Sequence, residues 1–172
     1  MENQKFQIVS AQSNIDWVGK KVTGAHNGTI AIKDGHLVLN GNQLTGGHFV
    51  VDTTSIRILD IADQATNAQF LGHLVSDDFF STDKYPEASL VITTVSGNHV
   101  HGDLTIKGIT HPVAFDAAVN VKDGQLTASG KLIIDRTKYA MRFRSGNFFK
   151  DLGDTLIYND FELTVTLTAK AA

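Results

Sequence analysis

The side chains best equipped for chemistry are few and scattered. His99, His101 and Asp103 alternate along one predicted strand, which puts two imidazoles and a carboxylate on one face. Such a trio can ligate a divalent metal. A complete site needs further ligands from another strand, and the favoured reading is an exposed hairpin end. Asp77 and Asp78 are adjacent carboxylates, the raw material of acid–base glycoside hydrolysis. Neighbouring acids more often cap the turn that follows them through its backbone N–H groups. Seven histidines and many serines stand in the chain without a Gly-x-Ser-x-Gly elbow. Arg136, Lys138, Arg142, Arg144 and Lys150 form a loose basic cluster. It suits an anionic headgroup at a rim or, more simply, a solvated loop. Cysteine is absent, which excludes disulfides, thiol catalysis and thiolate metal sites. No catalytic residue, metal or cofactor is assigned.

Composition narrows the classes further. At 172 residues, with 42% apolar and 19% charged side chains, the chain can bury a sizeable core and reads as one folded domain over residues 1–172. A net charge of −3 without any basic run argues against a nucleic-acid groove or an anchor on anionic membrane. No apolar stretch is long enough to cross a bilayer, so stable membrane insertion is not expected. Residues 1–6 lack the apolar run of a leader, so the sequence reads as cytoplasmic, or as periplasmic if a leader was removed.

The elements that must position any site are mostly strands. Alternation marks residues 4–10, 14–22 and 24–32, and a hairpin turn is expected at Lys33-Asp34-Gly35. A short strand through Leu37 and Leu39 follows, then 43–52, where Gly46-Gly47 signals a bulge or bend. Residues 64–74 predict a helix of about three turns, with Asp63 as its N-cap. Strands are expected at 88–96, 99–107, 113–122, 126–135 and 156–169, with Gly97-Asn98 and Asp123-Gly124 as turns. Residues 137–154 read as a long loop at a barrel mouth.

Each strand has one apolar face, and there is little αβ alternation to build a parallel sheet. The expected fold is all-β: an antiparallel, roughly eight-stranded, extended barrel with one short helix. About eight strands enclose a space that side chains fill or that holds one small ligand. Two stretches dominate. Residues 71–86 carry Phe79 and Phe80 in a polar loop, and large rings there need somewhere dry to go. Residues 102–115 read as strand, Gly turn and strand. The rings of the first are expected to cover an apolar cavity walled by strands such as the second.

Four stretches, in order, resemble the YceI-like family, the polyisoprenoid-binding, lipocalin-like proteins of bacteria. They are Ser13-Asn14-Ile15-Asp16-Trp17; His73-Leu74-x-Ser76-x-Asp78-Phe79-Phe80 with Tyr85-Pro86; Gly102-Asp103-Leu104-Thr105-Ile106-Lys107-Gly108-Ile109-Thr110-x-Pro112-Val113; and Asp135-Arg136-Thr137-Lys138-Tyr139-Ala140-Met141. Together they span almost the whole chain. Departures at Gln12, Lys21, Phe70-Leu71-Gly72 and Ala140 leave the apolar wall untouched. The resemblance implies a lipocalin-like barrel with a long apolar tunnel, an isoprenoid-like lipid as partner (polyisoprenoid or isoprenoid quinone), and no catalytic residues.

With that resemblance, the inward apolar faces become candidate tunnel walls around one continuous greasy channel. From the first half of the chain these are Ile15, Trp17, Phe49, Val51, Leu90 and Ile92. From the second half they are Leu104, Ile106, Phe115, Leu132, Ile134, Phe161 and Leu163. Phe79, Phe80, Tyr139, Met141 and Phe143 line or close one end. The expected activity is non-enzymatic binding, transport or storage. The alternatives are an isomerase- or cyclase-type enzyme on an apolar substrate, and a solid-cored interaction module that could form a homodimer through a free strand edge.

Overall fold

The computed structural model describes residues 3–21, 24–141 and 157–171. In chain order its elements are β1 (Asn3–Ile8), β2 (Asn14–Lys21), β3 (Gly24–Asn40), β4 (Gln43–Ile58), α1 (Gln64–Leu74), β5 (Glu87–Ser96), β6 (His99–Ile106), β7 (Ile109–Lys122), β8 (Gln125–Asp135) and β9 (Ile157–Ala171). Short 3₁₀ turns occupy Ser10–Gln12 and Arg136–Tyr139. Strands β3, β2, β9, β8, β7, β6, β5 and β4 follow one another around a ring, and β4 pairs back onto β3. The all-β antiparallel barrel expected from the sequence is therefore closed. β1 pairs with both β3 and β9 outside the ring.

Alternation fixes which side faces in. On β5, Leu90 and Ile92 are buried between an exposed Val91 and an exposed Thr93. On β9, Val165 and Leu167 are buried while Thr164 and Thr166 face solvent. One end of the barrel carries the tight connections Asn40–Gln43, Ser96–His99 and Lys122–Gln125, and is called the hairpin end here. The other carries α1, residues 75–86 and the Arg136–Tyr139 turn, and is the helix end.

The turn expected at Lys33-Asp34-Gly35 is instead the middle of β3. Ile32 pairs with Val51 and Asp34 with Val50, so Lys33 is an extra residue in a bulge. Gly35 sits at φ +156, and a Cβ there would come within 2.6 Å of the His48 carbonyl oxygen and of Phe49 Cβ. Residues that build hairpin turns serve a bulge equally well, because both need tight backbone. The bulge expected near Gly46 is present: Val38 pairs with Gly46 and Leu39 with Leu44, leaving Thr45 over. A third slip lies between Thr29 and Ala31, opposite Arg57 and Asp52. There Asp52 Oδ1 accepts from the Thr54 amide (2.9 Å), and Ser55 Oγ donates to the Asp52 carbonyl (2.6 Å) while accepting from the Ala31 amide (2.8 Å).

The helix has the expected bounds and cap. Asp63 accepts from the Thr66 amide at 2.9 Å and from its hydroxyl at 2.6 Å. Asn67 Nδ2 donates to the carbonyls of Ile58 (2.9 Å) and Ile61 (3.1 Å), which pins the first turn to the end of β4. No residue of α1 is fully buried.

β7 pairs with β8 only over Ala117–Lys122. Nearer the helix end β7 stays with β6, and β8 with β9. The inward residues Ile109, Val113 and Phe115 are accordingly only half-buried.

Candidate binding cavity

Among the described residues, two apolar voids lie inside the barrel, stacked along its axis. The one nearer the helix end, of about 50 Å³, is bordered by residues of β2 to β6, β8 and β9 together with Phe80. The one nearer the hairpin end, of about 40 Å³, is lined chiefly by Leu37, Leu44, Ile92, Val100, Ala128 and Leu167. Phe49, Leu132 and Val165 border both. Phe49 comes from β4, and Leu132 and Val165 come from β8 and β9 on the far side of the ring. These three side chains, called the septum here, are the wall the two voids share. Where one continuous channel was expected from the sequence, the described residues enclose two voids at this level.

Most of the residues expected in the wall border one of the two voids. Ile15, Val51, Phe80, Leu90, Leu104, Ile106, Phe161 and Leu163 border the upper void. Ile92 and Phe115 border the lower, and Phe49 and Leu132 border both. Trp17, Phe79, Ile134, Tyr139 and Met141 are buried but border neither. Phe143 lies outside the described residues, as do Arg142, Arg144 and Lys150. Val100, Val165 and Leu167 were missing from the expected wall although they have the right parity. Val100 sits between His99 and His101 on β6, and the other two continue the alternation of Phe161 and Leu163.

The lid over the upper void is the segment from 75 to 86. Its backbone is folded onto itself: the Phe80 amide donates to the Leu74 carbonyl (2.9 Å), Ser81 to Ser76 (2.8 Å) and Thr82 to Val75 (3.0 Å). Phe79 turns inward, and Phe80 meets Phe161 edge-on with ring centroids 6.4 Å apart. Asp77 and Asp78 differ here from the expected backbone caps. Asp77 Oδ1 accepts from the Ser81 hydroxyl at 2.6 Å, and Asp78 Oδ2 lies 3.0 Å from His73 Nε2. The Ser81 hydrogen bond, then the Lys84 ammonium, hold the Asp77 carboxyl below its ordinary value. Both acids are exposed and organise the lid rather than facing a void.

Lys107 staples this lid to the neighbouring turn. From the tip between β6 and β7 its ammonium donates to the carbonyls of Asp77 (2.9 Å) and Ala140 (3.2 Å). Partial burial pushes its pKa below the usual lysine value. Tyr85 rests against Gly108 beside it, so the two stretches that dominated the sequence meet in space.

The basic cluster divides. Arg136 is only 3% exposed and is not part of a solvated loop. Its Nη1 donates to the Met141 carbonyl at 2.6 Å, and its guanidinium lies 5.6 Å from the centre of the Phe79 ring. Burial pushes its pKa down to about 10, which leaves it charged at neutral pH. Burial likewise pushes the Tyr139 phenol up to about 12. The one sequence signal for this role is the run of capping Asp135, Arg and aromatic; Asp135 Oδ1 accepts from the Thr137 amide at 3.0 Å.

The histidine face carries its own partner. His99 and His101 rings pack edge-on at 4.8 Å, and His99 Nδ1 lies 2.9 Å from Asp116 Oδ1. Among the described residues no group of three His, Cys, Asp or Glu side chains is arranged to hold a metal. Nor is any ionisable side chain among those bordering the two voids.

Comparison with known proteins agrees with this geometry. A model of the YceI-like domain matches residues 6–169. A UPF0312 protein of Staphylococcus aureus (strain USA300) is 40% identical over 79 residues, which cover 41% of this chain and 46% of that protein. The chain thus spans less than half the length of that relative. The crystal structure of BcnA from Burkholderia cenocepacia superposes with a TM-score of 0.70 at 22% identity, covering 95% of this chain and 99% of that one. A structure described as a polyisoprenoid binding domain from Saccharophagus degradans, implicated in plant cell wall breakdown, gives 0.69 at 14% identity, covering 97% and 98%. At these identities the two structures share the fold.

Proposed function

The chain belongs to the YceI-like domain family, and from that premise we propose that its barrel takes up the tail of an isoprenoid-like lipid and releases it chemically unchanged. The observation that carries this reading is a closed barrel with apolar voids in line beneath the 75–86 lid and a helix, α1, that buries no residue fully. The polyisoprenoid-binding description of the Saccharophagus degradans domain, which shares the fold, supports the choice of ligand. An isoprenoid tail has no hydrogen-bonding groups, so its receptor needs length and dryness rather than a polar constellation. Among the described residues bordering the voids there is no acid, base or activated nucleophile, which supports binding without turnover.

The magnitudes favour a carrier or store. Moving one five-carbon unit out of water gains on the order of 4 kcal/mol. A bilayer already provides that gain, so exchange with a membrane is near neutral and reversible. The resting voids of about 50 and 40 Å³ fall well short of the roughly 150 Å³ that admits a benzene. Uptake therefore requires the septum and the lid to part. The test is native mass spectrometry after incubation with phospholipid vesicles containing geranylgeraniol or an isoprenoid quinone. A one-to-one complex with the ligand mass intact is expected. Bare protein at every lipid concentration would overturn the reading, and an altered ligand mass would overturn its non-enzymatic part.

A further inference from the structure

Four of the chain's seven histidine rings have a hydrogen-bond partner: His26 with Asp60, His73 with Asp78, His99 with Asp116 and His111 with the Lys138 carbonyl. Among the described residues no hydrogen bond engages the ring of His36 or of His48. These two stand opposite each other on β3 and β4. They are half-buried on the outer face of the barrel, between the inward-facing Gly35, Leu37 and Phe49, and their ring centres are 4.5 Å apart. The same joint therefore presents two imidazoles whose nitrogens are free to take a shared ligand.

The spacing suits a metal ion. Two imidazoles on one ion, at a metal–nitrogen distance of about 2.1 Å and a ligand angle of about 90–110°, have ring centres roughly 4.6–5.3 Å apart. The pair already stands near the short end of that range. Its rings meet edge-on at 75°. The torsion about the Cβ–Cγ bond of histidine is broad and soft, so turning both nitrogens onto one ion takes a ring rotation rather than a backbone shift. The backbones hold the pair close from both sides. A Cβ on Gly35 would lie 2.6 Å from the His48 carbonyl oxygen, and one on Gly47 would lie 2.5 Å from the His36 carbonyl oxygen. Burial first, then the His48 and Lys5 charges, lower the His36 pKa from 6.5, so the ring is neutral at pH 7, the form that ligates. Asp34 adds negative potential beside it, with Oδ1 accepting from Gln7 Nε2 and the Gly35 amide.

We propose that His36 and His48 together ligate a divalent transition-metal ion of the zinc, nickel and copper class, and that this ion ties β3 to β4. Imidazole nitrogens suit these ions. No third His, Cys, Asp or Glu side chain completes the set among the described residues, so water fills the other positions. The place gives the ion a structural effect. Asp34–Val38 run in step with Gly46–Val50 between the slips at Lys33 and Thr45, and His36–His48 is the middle pair of that stretch. β3–β4 has three slips, against one each at β2–β9 and β5–β6. An ion at the pair bridges the joint whose ladder is most interrupted.

The probe is Zn²⁺, added to the untagged, metal-free full chain near neutral pH. Calorimetry is expected to show one ion per chain at the strongest site. His36→Gln and His48→Gln should each weaken that binding by about tenfold or more, and His101→Gln by less than about twofold. The last variant is the control for the other close pair, His99 and His101, whose rings lie 4.8 Å apart on one strand. The His36 and His48 ring resonances should shift on adding zinc, and amide hydrogen exchange should slow at 34–38 and 46–50. Affinity unchanged in both His36→Gln and His48→Gln, or lost in His101→Gln, would overturn the site. Zinc bound at the pair without slower exchange would overturn the tie between the strands.

Discussion

The two ends of the barrel are built from the same kind of strand and do different work. At the hairpin end Leu37, Leu39, Val100, Leu126 and Ala169 are almost completely buried, and β1 with its Phe6 packs over the seam. Apolar side chains close it as they close any folded core. At the helix end Phe70, Leu71, Leu74, Phe80 and Phe161 are only half-buried. Closure there combines buried Phe79, Tyr139 and Met141 with polar clasps: Asp77 with Ser81, Lys107 with two carbonyls, and His26 Nδ1 2.8 Å from Asp60 Oδ2. Burial pushes the Asp60 carboxyl up, but the hydrogen bonds from His26 and the Asn27 amide together hold it below its ordinary value. The contrast shows how one fold combines permanence and access. Dispersion and desolvation alone seal one end, while at the other they are supplemented by a handful of hydrogen bonds near water, each worth about 1 kcal/mol.

The sharpest test of this division lies at the level between the ends. Phe49→Ala removes the septum and is expected to cost about 3–5 kcal/mol in denaturant unfolding. It should also join the two voids, so that the longest tail retained in native mass spectra increases. Unchanged tail length would show that Phe49 is ordinary core. Next comes one substitution made at both ends. Leu126→Ala at the sealed end is expected to cost about 2–5 kcal/mol, whereas Leu74→Ala on the half-buried helix should cost less than about 1 kcal/mol. Equal losses would erase the distinction between core and lid.

Smaller effects follow. Lys107→Met removes both arms of the staple and is expected to cost about 1 kcal/mol. Its larger signature is faster amide hydrogen exchange in 75–86, with protection at Leu126 and Ala169 unchanged. The smallest effect is a pH dependence at the β3–β4 pair His36–His48, whose rings lie 4.5 Å apart. Burial first, then the His48 and Lys5 charges against a weaker Asp34 attraction, lower the His36 pKa from 6.5. The unfolded chain therefore takes up this proton at higher pH than the folded one does. Stability from this residue is unaffected well above pH 6.5, falls as pH drops through that value, and levels off below the folded pKa. His36→Gln should make the fall in Tm between about pH 7.5 and 5.5 shallower.

What the sequence disclosed depended on how locally each feature is determined. The alternation of β5, β6, β8 and β9 and the Asp63 cap are properties of a few consecutive residues, and they were legible. The bulge at Lys33 was misread because Asp-Gly supports two backbone outcomes, and only the partner strand decides between them. The burial of Arg136 was illegible for a related reason: its neighbours, Phe79 and the Met141 carbonyl, include one more than fifty positions away. The septum was harder still. Phe49, Leu132 and Val165 were each readable as inward-facing, but whether their tips meet depends on the width of the ring, which no short window of sequence encodes.

The three register slips between β3 and β4 have a mechanical consequence. A barrel is a cask of staves, and its girth is set by the straps between neighbouring staves. At this joint the straps are interrupted three times by surplus backbone, like gussets let into a garment, against once at β2–β9 and once at β5–β6. Widening of the cask is expected to start at those gussets, while the β8–β9 joint, paired without a slip from Gln125 to Asp135, stays laced.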